Sequence, residues 1–171
     1  VVTGNHFTML GVPPQIGRLL TPADDVIGAE RVVVLSDRMW RREYGADPAI
    51  VGRTITLRGL VYTVVGVAPA AFTGVVPLLT PELWLPIVHV EEVEPIGITN
   101  VVPGPGRTPL ERRGYRWMFI KGRLADGVSA AQAHANVALV GRQLQTAHPQ
   151  TNKDSAMSAV PTSEVRMLVP Q

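Results

Sequence analysis

The run RVVVLS at residues 31–36 limits the fold more than any other stretch of the chain. Successive strand side chains point to opposite faces of a sheet, so an unbroken apolar run reads as a strand buried on both faces. Ser36 then stands at the N-cap of a helix, DRMWRREY (37–44). Leu35 before the cap and Trp40 four residues after it have the spacing of a hydrophobic staple. Trp40 and Tyr44 lie one turn apart on a common face. Gly45 follows as the expected left-handed C-terminal cap.

After Gly52 the apolar period changes from that of a helix to that of a strand. Thr54, Thr56 and Arg58 alternate with Ile55 and Leu57, Gly59 marks a turn, and VYTVVGV (61–67) returns, which predicts a β-hairpin. A short helical turn is expected over 5–10 with Asn5 as N-cap. Another is expected at TPADD (21–25), with Thr21 as N-cap and Pro22 at the first helical position. LWLPI (83–87) reads as a short strand. Between 88 and 114 the chain carries four prolines and four glycines without a clear period, which predicts a long loop and a boundary between halves. YRWMFIKGRL (115–124) reads as a strand. Ser129 with Gln132 forms a capping box for a helix to about Ala147, with Ala133, Val137, Val140 and Leu144 on one stripe and Pro149 ending it. Residues 155–165 read as a last extended segment.

Composition narrows the function classes. The 171 residues are 46% apolar and 18% charged, enough for a core in one domain or two small ones. Aromatics make up 5%, so aliphatic residues are expected to fill most of it. A net charge of +2, with arginines in the short pairs Arg41–Arg42 and Arg112–Arg113, does not suggest nucleic-acid binding. The chain has no cysteine, which removes disulfides, thiol catalysis and zinc ribbons. No stretch approaches the roughly 20 apolar residues of a membrane span. The opening VVTGNHF offers neither an initiator Met nor a signal peptide, so a piece of a larger protein is expected.

No candidate for chemistry outweighs its structural reading. GADPAIVGRT (45–54) superficially resembles a phosphate loop, but it lies between a helix and a strand in the wrong order. Its glycines, Gly45 and Gly52, are too far apart, and Asp47 would repel phosphate. The histidines are His6, His89, His134 and His148. His134 and His148 bracket one helix about 21 Å apart and cannot share an ion. His6 reads as a turn residue. His89 with Glu91, Glu92 and Glu94 could attract a cation, although a hydrated charge run is the favoured reading. GVSAA (127–131) is near the nucleophile-elbow pattern, yet Ser129 already has a complete task as a cap. Asp24 and Asp25 are adjacent, so their side chains diverge and suit a helix start. No catalytic, cofactor or metal site is expected.

Set in order, VVTGNHFTMLGVPPQIGRLLTPADD, VVVLSDRMWRREYGADPAIVGRTITLRGLVYTVVGVAP, LWLPI and IKGRLADGVSAAQAHANV resemble the MacB-like periplasmic core domain of FtsX-type ABC transporter permeases. The resemblance spans about three quarters of the chain and is nearest to the acidobacterial-type permease. It implies an α+β fold, a mixed β-sheet lobe with short helices plus a βαβ-like α/β lobe. It divides the chain into a β-rich lobe over 1–82, a short strand and long loop over 83–114, and an α/β lobe with one long helix over 115–171. It also implies that an earlier half of the α/β lobe and the transmembrane helices lie elsewhere in the parent, and that the 88–114 loop is longer than is usual in MacB itself. The implied function is that of a non-catalytic domain, without cofactor, on the periplasmic side of a bacterial inner membrane. It would couple ATP-driven movement to substrate export or envelope signalling. Its partners would be the rest of the permease, indirectly a cytoplasmic ABC ATPase, and a second permease protomer or a periplasmic protein. Two other classes stay open. One is a soluble extracellular ligand- or protein-binding module using Ile96, Ile98, Val101 and Val102. The other is a hydrolase using Ser129.

Overall fold

A computed structural model describes residues 1–76, 79–93, 100, 101, 110, 111, 113, 115, 116, 118 and 120–164. The chain separates into two compact units, Val1–Ile96 and Gly97–Gln171.

In chain order the elements of the first unit are α1 (His6–Leu10), β1 (Ile16–Gly17), β2 (Val32–Leu35), α2 (Asp37–Tyr44), β3 (Thr54–Leu57), β4 (Leu60–Val67), β5 (Leu83–Trp84) and α3 (Val90–Val93). The second unit adds β6 (Asn100–Val101), β7 (Tyr115–Arg116), α4 (Ala130–Ala147) and α5 (Pro149–Asn152). Single 3-10 turns stand at Pro22–Asp24, Pro48–Ile50, Ile87–His89 and Thr162–Glu164.

The first unit is built on a mixed five-stranded sheet. β2 runs parallel to β4 and antiparallel to β5. The opposite edge of β4 pairs antiparallel with β3 along its first half and with β1 along its second. The four residues of β2 are all buried, and they alternate between two cores. Val33 and Leu35 join Trp40, Ile50, Ile55, Tyr62, Val64, Val67 and Leu85 on one face. Val32 and Val34 join Phe7, Leu19, Leu20, Ala68 and Trp84 on the other. Burying such aliphatic side chains contributes roughly 1.5–3 kcal/mol each, so β2 needs both covers. On the second face three aromatics, Phe7, Phe72 and Trp84, meet pairwise with ring centroids 5.4–5.6 Å apart.

Local signals place the connections. Ser36 Oγ accepts from Met39 N at 3.1 Å, and Leu35 and Trp40 share one core as the staple spacing predicts. Gly45 closes α2 at φ 60°. Between β3 and β4, Arg58 and Gly59 both have positive φ (51° and 82°), as the tight turn of a two-residue hairpin requires. The β2–β4 ladder carries a one-residue irregularity: Val33 pairs with Val64 but Val34 pairs with Gly66, leaving Val65 as the extra residue. Tyr62, Val64 and Val67 consequently all reach the same core.

Several expectations change, among them that Arg58 continues the first hairpin strand, which ends at Leu57. Asn5 sits at the N-cap position of α1 without making the capping bond; its Oδ1 instead accepts from Thr3 Oγ1 at 2.8 Å. The expected 88–114 loop begins with ordered structure, the turn at Ile87–His89 and α3, because Val90 is buried in the first unit. Of the strand expected over 115–124, Tyr115–Arg116 form β7 and residues 117 and 119 lie outside the described residues; residues 120–124 pair with no described strand, and Ile120 is 84% exposed. The extended segment expected over 155–165 lacks strand pairing at 155–161, and a 3-10 turn follows at Thr162–Glu164. Its last position, Val165, lies outside the described residues.

The parallel strand pairing among the described residues belongs to the first unit, where α2 lies in the connection from β2 to β4. In the second unit the described pairing, β6 with β7, is antiparallel. The expected α4 boundary at Ala147 matches, and the Ser129–Gln132 box closes in both directions. The helix stripe is rotated, however. Val140 is 47% exposed, while Gly141 is buried because the 155–161 segment runs against it. A Cβ at Gly141 would stand 3.0 Å from Met157 Cβ.

The tightest backbone approach lies between β1 and β4. A Cβ at Gly66 would fall 2.1 Å from Arg18 O and 2.7 Å from Ile16 O, so any side chain there must displace β1. Gly66→Ala is expected to cost about 1–3 kcal/mol, read as a lower urea midpoint, whereas Gly28→Ala, which meets no neighbour, tests the cost of a positive φ alone.

Candidate functional site

The residues singled out in the sequence separate in the structure. The 45–54 stretch is a helix stop followed by a capped turn. Ala49 N donates to Asp47 Oδ1 at 2.9 Å, Trp40 Nε1 donates to Asp47 O at 2.9 Å, and Arg53 pairs with Asp47 at 3.7 Å. The residue that would repel phosphate is therefore the one that organises the turn. Ser129 N donates to Gln132 Oε1 at 2.8 Å and Gln132 N donates to Ser129 Oγ at 3.2 Å, which is the cap and no base. His134 Nδ1 lies 3.2 Å from Ala159 O. His148 follows the end of α4, and His6 is buried against Phe7 and Phe72. No group of three or more His, Asp or Glu among the described residues could hold a metal ion. Of the acidic run beside His89, Glu94 lies outside the described residues.

Asp24 and Asp25 do diverge. Asp24 takes both guanidinium nitrogens of Arg18 at 2.7 and 2.8 Å, together with Thr21 N and Oγ1 at 2.8 Å. Burial works against its charge, but the Arg18 and Thr21 hydrogen bonds outweigh it and leave the carboxyl more acidic than usual. Asp25 faces the other way and joins two distant segments, accepting from Gly4 N at 2.9 Å and from Val88 N at 3.1 Å.

The most concentrated polar chemistry is a site the sequence reading missed. Glu92, expected in a hydrated charge run, stands on α3 and is turned onto the sheet. Arg31 Nε and Nη2 donate to its two oxygens at 2.9 Å each, Tyr62 Oη donates at 2.6 Å, and His89 Nδ1 lies at 3.3 Å. The correction has a simple cause: three donors from β4, the start of β2 and the preceding turn converge on one carboxylate. The rings of Tyr62 and His89 pack edge to face at 5.9 Å. His89 is itself buried, and its Nε2 has no hydrogen-bond partner among the described residues. The fork of Arg31 holds the Glu92 carboxyl down to about 2, against the opposing effect of burial, with Tyr62 and the charge of His89 assisting. Burial and the neighbouring carboxylate push the Tyr62 phenol well above its ordinary range. No signal in the local sequence could have revealed this, because Arg31 and Tyr62 lie far from Glu92 along the chain.

Both oxygens of Glu92 are taken up by donors of the same chain, while the buried His89 Nε2 is left without one among the described residues. The cluster is built to hold segments together. A second set of ion pairs acts similarly at the edge of β5, where Glu82 receives Arg38 and Arg42 of α2. The two segments flanking the sheet, around Val2 and around Pro86, lie side by side: Val2 N donates to Leu85 O at 2.9 Å.

The mixed sheet with short covering helices defines an α+β domain. The family model of the MacB-like periplasmic core domain matches residues 1–140, and the chain belongs to that family, whose members are extracytoplasmic parts of ABC transporter permeases. A solved structure with the same fold is the periplasmic region of MacB from Actinobacillus actinomycetemcomitans. It superposes with a TM-score of 0.52 at 20% identity, over 88% of this chain and 56% of that one. The chain thus spans little more than half the length of that relative. No curated protein is a significant sequence match. No described helix is long and apolar enough to cross a membrane.

The Glu92 cluster predicts a pH dependence. The folded carboxyl is more acidic than the same group in the unfolded chain, whose ordinary value is 4.5. The unfolded state therefore binds more protons in acid. The stability Glu92 contributes is fully present above its unfolded value and is lost as pH falls from there toward about 2. The urea midpoint is expected to decline over that window, and Glu92→Gln should flatten part of the decline, leaving the share of Asp24, Asp37 and Glu82, whose carboxyls are also held low.

Proposed function

We propose that this chain is a non-catalytic module of an ABC transporter permease, held on the outer side of a bacterial inner membrane. There it couples ATP-driven movement of transmembrane helices to export of a substrate or to signalling across the envelope. The observation that carries this reading is the family match over residues 1–140, joined to a first unit whose conspicuous polar groups are spent on internal ties. Its sheet, its flanking segments and α3 are braced against one another, which suits a body that transmits displacement.

The second unit supports the partners of this reading. Among its described residues no apolar side chain is fully buried, and Leu139, Val140, Ile120, Leu124 and Val160 are between 47% and 84% exposed. The described residues bury so little that by themselves they would not offset the entropy of ordering this part of the chain. Other parts of the permease would supply the missing cover: an earlier half of the same α/β lobe, the transmembrane helices, or a second protomer. A cytoplasmic ATPase would act only through those helices. The boundary between a β-rich lobe ending near 82 and an α/β lobe beginning near 115 belongs to the same proposal. Of the residues expected to form a recognition loop, Ile96, Ile98 and Val102 lie outside the described residues, as does the side chain of Val101.

Because the sequence lacks cysteine, single-cysteine labelling gives a direct test. In a parent permease otherwise free of cysteine, Ile27→Cys, at a position 95% exposed, is expected to react with a membrane-impermeant maleimide in cells whose outer membrane alone is permeabilised. Labelling only after lysis would refute the placement. In parallel, Ser129→Ala should lower stability by about 1 kcal/mol through loss of the cap. It should leave hydrolysis of simple esters where it was, at the uncatalysed rate; ester turnover that vanished with Ser129 would instead make the domain a hydrolase.

A further inference from the structure

The turn at Ile87–His89 and α3 are the last described elements before the second unit begins at Gly97. They carry three attachments to the first unit. Val90 is 3% exposed in the core, Val88 N is bound by Asp25, and Glu92 is bound by Arg31, Tyr62 and His89. The partners of Glu92 come from two neighbouring strands of the sheet: Arg31 immediately precedes β2, and Tyr62 lies within β4.

We propose that Glu92 is a latch. It fastens the segment leading out of the first unit to β2 and β4, so that a pull along that segment is delivered to the sheet rather than absorbed by unwinding α3. The geometry favours this role over a merely decorative surface pair in two ways. Helix α3 has four residues, far too few to persist on helical propensity alone, so it exists only while something holds it down. And besides the two-point fork of the partly exposed Arg31, the carboxylate is gripped by a phenol whose ring is fully buried and cannot follow α3 if it lifts. Opening the latch would leave the Tyr62 hydroxyl and one face of Arg31 to find water, while Val90 would have to leave the core at the same time. The segment therefore has two discrete states, seated or detached. This inference rests on the mechanical reading above, but its test does not.

The test is amide hydrogen exchange on the whole 171-residue chain, comparing the wild type with Glu92→Gln, Arg31→Gln, the double variant and Tyr62→Phe. Loss of a charged hydrogen-bond partner is expected to speed exchange in α3 by about tenfold or more, while amides of β2 and β4 stay protected. Tyr62→Phe keeps the buried ring and should give the same local effect with the core intact, which covers the case in which a Glu92 variant folds poorly. The double variant should exchange in α3 no faster than the quicker single variant, because both remove one linkage. Unchanged α3 exchange would overturn the latch and assign the holding of α3 to the packing of Val90 and Val93 and to the Asp25–Val88 bond. Equal acceleration throughout the sheet would also overturn it, since Glu92 would then be an ordinary stabilising group. Failure of the maleimide labelling would remove the permease placement and leave the exchange result standing.

Discussion

Everything in the first unit depends on a strand with no face to spare. Val32–Leu35 sends side chains alternately into two cores, and neither core could exist without the other's cover. On one side the cover is α2 and the hairpin; on the other it is α1, the 19–20 segment and an aromatic trio. The ion pairs are arranged around this demand. Arg18–Asp24 and Asp25 fix the early segment that covers the second face, while Glu82 and Glu92 secure the edges. In each pair the arginine is about half-exposed while the carboxylate is more covered. Collectively they decide where the covering segments lie.

That division of labour explains what kind of object the domain is. Hydrophobic burial makes the sheet stable, and the polar groups make its attachments directional. Asp47, Asp25 and Glu92 are accordingly bound by backbone amides and guanidinium groups of the same chain.

How much could be seen beforehand follows the distance over which each interaction acts. Ser36, Gly45, the turn at Gly59 and the Ser129–Gln132 box were legible because their partners lie within a few residues, and the Leu35–Trp40 staple for the same reason, whereas Arg58, read as a strand residue, belongs to the turn. The two-sided burial of β2 was legible because a four-residue apolar run leaves no polar face. Glu92 was misread as a solvated charge because its donors lie 30 and 61 residues away, and no local pattern encodes such a meeting. The α4 stripe was placed slightly off its true face because small residues carry little periodic signal: the buried centre is Gly141, chosen for closeness to Met157 and not for hydrophobicity. Asn5 had the right identity for a cap, but its amide oxygen was claimed by Thr3.

The spare residue in β4 has an implication for how this sheet can tolerate changes in chain length. Val65 shifts the phase of alternation midway along the strand, so that Val64 and Val67, three apart, face the same core. Removing Val65 would merge the two halves of the ladder into one regular register with every remaining side chain on its own side. A deletion farther along the strand would either keep the irregularity and turn one end inside out, or turn over each residue between the gap and Val65. Loss of Gly66 would keep the alternation but bring a side chain against Arg18 O, where no Cβ fits. Within β4, then, length variation is best tolerated at a single position, and a relative one residue shorter there could keep the same two cores by straightening its sheet.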